Sequence, residues 1–270
     1  MLNSKWTKDG QKGEIFNDIK KEFSKLKNYF FDYQLIQCKD YGVPQNRPRV
    51  ILVGIRNDQK FKPIKNKIAS GLIPDKTNDY PNPFELLADL IDKNYKDNFI
   101  TTKYKNSPKT HIQKKLRTRK GKNSLLEKGD KLSEQEYSNH SNNIIKKFQY
   151  MIDHKGKIPS SMKTKKFAQR VLPKFWDSKG PNITATSLPD DYVHFSQPRS
   201  LTVREWARLQ MFPDWYVFKG KRTTGGTRRA GNPLIGEWER EVPKYTQIGN
   251  AVPVELARRI GYNIIKILKK

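Results

Sequence analysis

Gln45, Arg47 and Arg49 stand in the run Tyr41-Gly42-Val43-Pro44-Gln45-Asn46-Arg47-Pro48-Arg49, one amide and two guanidinium groups at every second position. Pro44 and Pro48 hold φ near −65° and push the residues before them into extended conformations. Alternate side chains leave extended chain on one side, so the three polar groups are expected to point the same way. An amide beside two planar, permanently charged donor forks suits a planar, electron-rich ligand such as a nucleobase or a phosphate. Taken alone, the same residues also describe a solvated basic turn ahead of a strand.

Other reactive groups are few. Cys38 is the single cysteine, which excludes an intrachain disulfide. It follows Gln37 and precedes the basic turn, so it reads as a small, partly buried hydrophobe and not as a nucleophile. His111, His140, His154 and His194 are too far apart in sequence for a structural zinc site, and no metal is expected. Lys and Arg number 54 against 27 acidic residues in 270, a net charge of +27 that calls for a polyanionic partner, nucleic acid before membrane. No apolar run approaches the roughly 20 residues of a membrane span. Residues 1–13 are polar and lack a secretory core. The expectation is a soluble, cytoplasmic, nucleoid-associated protein of bacterial or phage-like type.

The elements that must carry these residues read as a mixed α/β pattern. Ile15, Ile19, Phe23 and Leu26 recur at helical spacing and predict an amphipathic helix from Glu14 to about Asn28. Tyr33–Gln37 and Val50–Ile55 predict two strands around the turn, the second apolar enough to be buried on both faces. Asn82-Pro83 is a cap and first-turn proline for a short helix over 84–90. Residues 92–170 carry few apolar groups and a basic cluster, Lys114-Lys115-Leu116-Arg117-Thr118-Arg119-Lys120, which suits a DNA-facing lobe or a solvated, mobile loop. Thr202-Val203-Arg204-Glu205 is a capping box for a helix through Trp206, Ala207, Leu209 and Met211 that stops at Pro213-Asp214. A basic, glycine-rich loop over 219–233 contains Arg222, Arg228 and Arg229. The last helix starts with Pro253 in its first turn and aligns Leu256, Ala257, Ile260, Ile264 and Leu268.

Three separated stretches resemble motifs of the DNA cytosine-5 methyltransferases. Tyr41–Arg56 resembles the Gln-x-Arg-x-Arg motif VIII, 199–214 (RSLTVREWARLQMFPD) motif IX, and 247–253 (QIGNAVP) motif X, in family order. The resemblance covers both ends of the chain and implies a partial, Rossmann-like methyltransferase sheet with an inserted, largely irregular DNA-recognition domain. The domains expected are a C-terminal half of the catalytic domain over 1–75, a target-recognition domain over 76–240 including motif IX, and a returning motif X helix over 241–270. It implies that Arg47 and Arg49 line the pocket of a flipped cytosine, Arg49 at its O2, and that Gln45 holds the turn and reaches the nucleic-acid backbone. Asn250 and the backbone of Ala251 would meet the amino-acid end of S-adenosylmethionine. Arg204, Arg208 and the capped helix would brace the recognition lobe. The partner implied is double-stranded DNA, with Arg117, Arg119, Arg222, Arg228 and Arg229 as candidate contacts.

Departures from the family pattern are equally specific. The glycine-rich cofactor motif F-x-G-x-G, the Pro-Cys pair of the nucleophile and the Glu-Asn-Val motif do not occur. The chain thus resembles a C-terminal portion of such an enzyme, from a restriction-modification system. The missing thiolate and the rest of the cofactor site would come from a second polypeptide carrying the N-terminal motifs. The alternatives are a catalytically inactive DNA-binding remnant and, more remotely, an RNA-binding protein. Asp177-Ser178-Lys179 mimics a nuclease element but has no companion acidic motif.

Overall fold

The computed structural model describes residues 3–77, 79–163, 169–175, 181–184, 189–223, 236 and 241–269. It divides into two units: 1–42, 47–79 and 255–270 form the first, and 43–46 with 80–254 form the second. Both chain ends thus enter the first unit. The C-terminal crossing falls at Glu255 and not at 241, because the helix before it packs with the second unit.

In the first unit α1 (Glu14–Ser24) is shorter than its periodicity suggests, and Leu26 is exposed. Phe16, outside the expected stripe, is the buried residue of α1; its ring meets Tyr33 edge-on at 4.9 Å. Strand β1 (Tyr29–Gln37) begins four residues earlier than expected and pairs antiparallel with β2 (Pro48–Arg56), in a register that places Ile36 opposite Arg49. Among the described residues this pair is the whole sheet of the first unit. Double-sided burial of β2 is therefore not realised: Val50 to Val53 are half-buried and only Ile55 is buried. A strand with one neighbour and one covered face cannot hide every side chain.

Between the strands, Gly42 takes φ +79°. A Cβ there would lie 2.9 Å from Nη2 of Arg259 and 3.3 Å from the carbonyl oxygen of Asp79, so the position requires glycine on two counts. The final helix, α8 (Val254–Leu268), contributes Glu255–Leu268 to this unit. It begins at Val254, just after Pro253, and its expected stripe is only partly used. Leu256 is buried, Ile260 and Ile264 half-buried, and Ala257 and Leu268 exposed.

The second unit contains the segment without a legible pattern. Its elements are α2 (Pro83–Leu87), α3 (Tyr95–Asn98), α4 (His111–Arg117), α5 (Asn142–Asp153), the two-residue parallel pair β3 (Arg170–Val171) and β4 (Tyr192–Val193), α6 (Val203–Leu209) and α7 (Lys244–Asn250), and it ends at Val254. Helix α2 starts as the sequence predicts, the Asn82 N–H donating to the Glu85 carboxylate. Every residue of α6 is buried. Its cap forms as the capping box requires: Thr202 Oγ1 accepts from the Glu205 N–H at 3.2 Å, and Glu205 Oε2 accepts from the Thr202 N–H at 2.9 Å.

Set into the apolar core, with Leu86, Leu90, Trp206 and Leu209 buried around them, is a group of buried ions. Arg208 donates to Asp89 at 2.6 and 3.1 Å and to Asp214 at 3.0 Å. Arg117 pairs with Asp89 at 2.6 Å and lies 3.7 Å over the Tyr104 ring, whose hydroxyl donates to Asp214. Arg199 forks onto Glu205 at 2.8 and 2.7 Å. Arg204 donates to Ser133 Oγ and to the Tyr216 carbonyl, both at 2.9 Å. All four arginines are essentially unexposed. Buried charges persist only when paired and hydrogen-bonded throughout, which these are.

Candidate nucleic-acid and cofactor site

The basic turn does not present its three side chains alike. Gln45 belongs to the second unit and is fully buried. Its Nε2 donates to the Leu209 carbonyl at 2.6 Å, and its Oε1 accepts from the Ile183 N–H at 3.2 Å. Reach to a nucleic-acid backbone is thereby corrected: both ends of the amide are spent on protein backbone. The local chain is a tight turn, the Gln45 N–H reaching the Val43 carbonyl at 2.7 Å, so the two-residue alternation of extended chain does not apply.

Arg47 and Arg49 belong to the first unit. The Arg47 side chain is buried, while its carbonyl accepts from the Cys38 N–H at 3.0 Å. Arg49 is half-buried at the start of β2, and its Nη1 donates to the carbonyl of Pro48 at 2.7 Å. Burial lowers the Arg49 pKa below the ordinary arginine value, with the neighbouring Cys38 opposing. Arg49 still carries its charge at neutral pH, as arginine does.

Cys38 is fully buried, and burial pushes its thiol up to about 11, Arg49 pulling the other way. A thiol so placed stays protonated and unreactive near pH 7. The reading of Cys38 as a packing residue agrees with that environment.

Asn250 ends α7 with an exposed amide, and Ala251 caps the helix. The Ala251 N–H already donates to the carbonyls of Gln247 and Ile248, both at 3.2 Å. The neutral amide of Asn250 can donate and accept, the pair of functions that an α-amino acid's carboxylate and ammonium require. The chemistry at this position therefore suits the amino-acid end of S-adenosylmethionine, while nothing in the sequence matches a glycine-rich cradle for the rest.

The basic candidates separate. Arg117 is corrected from a DNA contact to a buried structural ion, because its charge is consumed by Asp89 and its other donors by the carbonyls of Leu126 and Asn106. Arg119 is half-buried and bonded to Asp130 at 2.7 Å. Arg222 is half-buried, 3.4 Å from the Glu136 carboxylate and 3.2 Å from Ser138 Oγ. Arg228, Arg229 and the nuclease-like Asp177–Lys179 lie outside the described residues.

What sequence reasoning missed is the polar core. Asp89 and Asp214 neutralise Arg208 and Arg117 from positions far apart in the chain. The one advance signal was the density of charged residues, Arg204, Glu205 and Arg208, on a helix that also carries Val203, Trp206, Ala207 and Leu209. Among the described residues no group of three or more His, Cys, Asp and Glu side chains could hold a metal ion, and no helix is long and apolar enough to cross a membrane.

Comparison with known proteins first defines the class. The fold is shared with a prophage-encoded protein of Escherichia coli described as a DNA modification methyltransferase, with a TM-score of 0.61 at 19% identity over 95% of this chain and 66% of that one. The family model for C-5 cytosine-specific DNA methylase matches residues 1–266, and the chain belongs to that family. Two relatives are the type II methyltransferase M.DdeI of Desulfomicrobium norvegicum, 28% identical over 254 residues, and M.Eco47II of Escherichia coli, 26% identical over 262 residues. The matches cover 91% and 96% of this chain but 56% and 51% of those proteins, so the chain spans about half the length of the curated relatives it matches.

Proposed function

We propose that this chain forms the target-base and DNA-recognition portion of a DNA cytosine-5 methyltransferase of a restriction-modification system. The observation that carries this reading is the family match over residues 1–266, which takes in Arg47, Arg49 and Asn250 together. In it, the duplex binds through the basic surface and one cytosine leaves the stack, at a cost of a few kcal/mol that pocket and phosphate contacts offset. Arg49 holds the flipped base, while the buried Arg47 braces the turn that carries it. The fixed positive charge of Arg49 meets the cytosine O2 as electron density moves there during attack at C6. Asn250 orients the amino-acid end of S-adenosylmethionine, which when bound supplies an electrophilic methyl group for C5.

The attacking thiolate does not come from these residues. Cys38 is buried, neutral and not preceded by proline, so the nucleophile is supplied by polypeptide outside these 270 residues. The same holds for the Glu-Asn-Val carboxylate and the glycine-rich half of the cofactor site. The chain alone is therefore inactive in methyl transfer.

The test is reconstitution. The purified chain is mixed with a polypeptide carrying the Pro-Cys, Glu-Asn-Val and glycine-rich motifs of this family, with methyl-tritiated cofactor and duplex DNA. Tritium enters DNA in the mixture, in neither component alone, and not when Arg49→Ala replaces the wild type. If every partner that binds the chain yields no labelled DNA, or if Arg49→Ala supports full transfer, the reading is wrong.

A further inference from the structure

The hairpin that follows α4 and the residues that follow α6 meet on the surface of the second unit. The Arg119 N–H donates to the Ser124 carbonyl at 2.9 Å and the Leu126 N–H to that of Arg117 at 2.9 Å, leaving Lys120, Gly121, Lys122 and Asn123 as an exposed tip. Gly121 has φ +67° and nothing within 4 Å of a built Cβ, so the tip faces open space. Trp215 is 39% exposed and Tyr216 40%, and Lys120 Nζ stands 5.3 Å from the centre of the Trp215 ring.

Both halves of this surface are rooted in the buried ion network. Arg117, at the hairpin stem, donates to the Leu126 carbonyl on the returning strand and is locked to Asp89. Asp214, the residue before Trp215, is bonded to Arg208 and Tyr104, and its N–H donates to the Leu116 carbonyl at 2.8 Å. The backbone that carries the exposed indole is thus anchored, and Lys120 stands over the ring, which lowers the ordering cost of binding. Buried charges that fix exposed groups justify their desolvation by positioning rather than by stability.

We propose that the Lys120–Lys122 tip and Trp215 form one duplex-DNA contact, the lysines on phosphates and the indole on the face of a backbone sugar. Charge complementarity selects this occupant: Lys120 stands over the ring and Lys122 is exposed on the same tip, in a chain of net charge +27, which disfavours an apolar protein partner. The contact assigns to Trp215 and Lys120 the role that Arg117, directly beneath, cannot fill. It rests on the methyltransferase reading for its partner.

Fluorescence anisotropy of a labelled duplex across a potassium chloride series tests it on the full chain. Trp215→Ala weakens binding about tenfold at every salt concentration without changing the slope of log K against log salt. Trp215→Phe restores most of that loss, because a ring remains to pack against the sugar. Lys120→Ala and Lys122→Ala each reduce the slope by about 0.9. Wild-type binding matched by all these variants overturns the contact and leaves the methyltransferase reading standing. Wild type that fails to bind duplex DNA sinks both. Circular dichroism of each variant separates lost contact from lost fold.

Discussion

Arg208 and Asp89 lie 119 residues apart in sequence and meet through two hydrogen bonds of 2.6 and 3.1 Å, both side chains buried. The pair joins α6 to the turn after α2, and Asp214 completes the neutralisation from the other side. Removing one partner strands an uncompensated charge. Arg208→Met is expected to cost about 3–5 kcal/mol in urea unfolding. Arg208→Lys recovers little, since a point ammonium cannot serve Asp89, Asp214 and the Leu86 carbonyl at once. A loss under 1 kcal/mol for Arg208→Met would refute this account of the core.

His194 contributes to the pH dependence of the second unit. Burial, with Arg199 adding to it, pushes the imidazole down to about 3, while Glu205 opposes. The unfolded chain takes up the proton near the ordinary value of about 6.5. Between these values the unfolded state binds more protons, so stability is present above pH 6.5 and lost as pH falls toward 3. The slope contributed is up to about 1.4 kcal/mol per pH unit. Unfolding midpoints at pH 7.5, 6 and 5 should fall in sequence, and His194→Asn should flatten that fall.

Glu205 acts lower on the scale. Burial would raise its pKa, but Arg199 outweighs burial and holds it at about 2. Its folded value is depressed, so its contribution is complete above the unfolded value near 4.5 and disappears as pH drops through about 2. Glu205→Gln also removes the charge facing Arg199. The variant should be less stable than wild type at pH 7 and should converge on it only below about pH 2, as read by circular dichroism.

Gly42 should not tolerate a side chain. Alanine there meets both an unfavourable φ and the Arg259 guanidinium. Gly42→Ala is expected to cost about 1–3 kcal/mol. Arg259→Ala should relieve only the steric part, so the double variant remains less stable than Arg259→Ala alone; equal stabilities would contradict this.

Cys38 should resist modification. With its thiol buried and held near 11, the native protein should not react with a disulfide reagent at pH 8 over the time in which the urea-unfolded chain reacts fully. Rapid labelling of the folded chain would place the thiol elsewhere.

Sequence alone determined the short-range features. The Thr202–Glu205 box, the Asn82-Pro83 helix start and the strands on either side of the turn follow from local sterics and hydrogen bonding. The motif spacing was likewise enough to point to the family, and the Cys38 context to exclude a nucleophile. Tertiary structure decided what each polar side chain is for. Gln45, Arg47 and Arg49 are two residues apart in sequence, yet Gln45 is spent on backbone, Arg47 is buried and Arg49 is half-buried. Arg117 sits in a basic cluster that reads as DNA-facing, but its partner Asp89 is 28 residues upstream, and only the fold brings them within 2.6 Å. Burial of a charge depends on a counter-charge delivered from distant sequence, and no local pattern encodes that delivery.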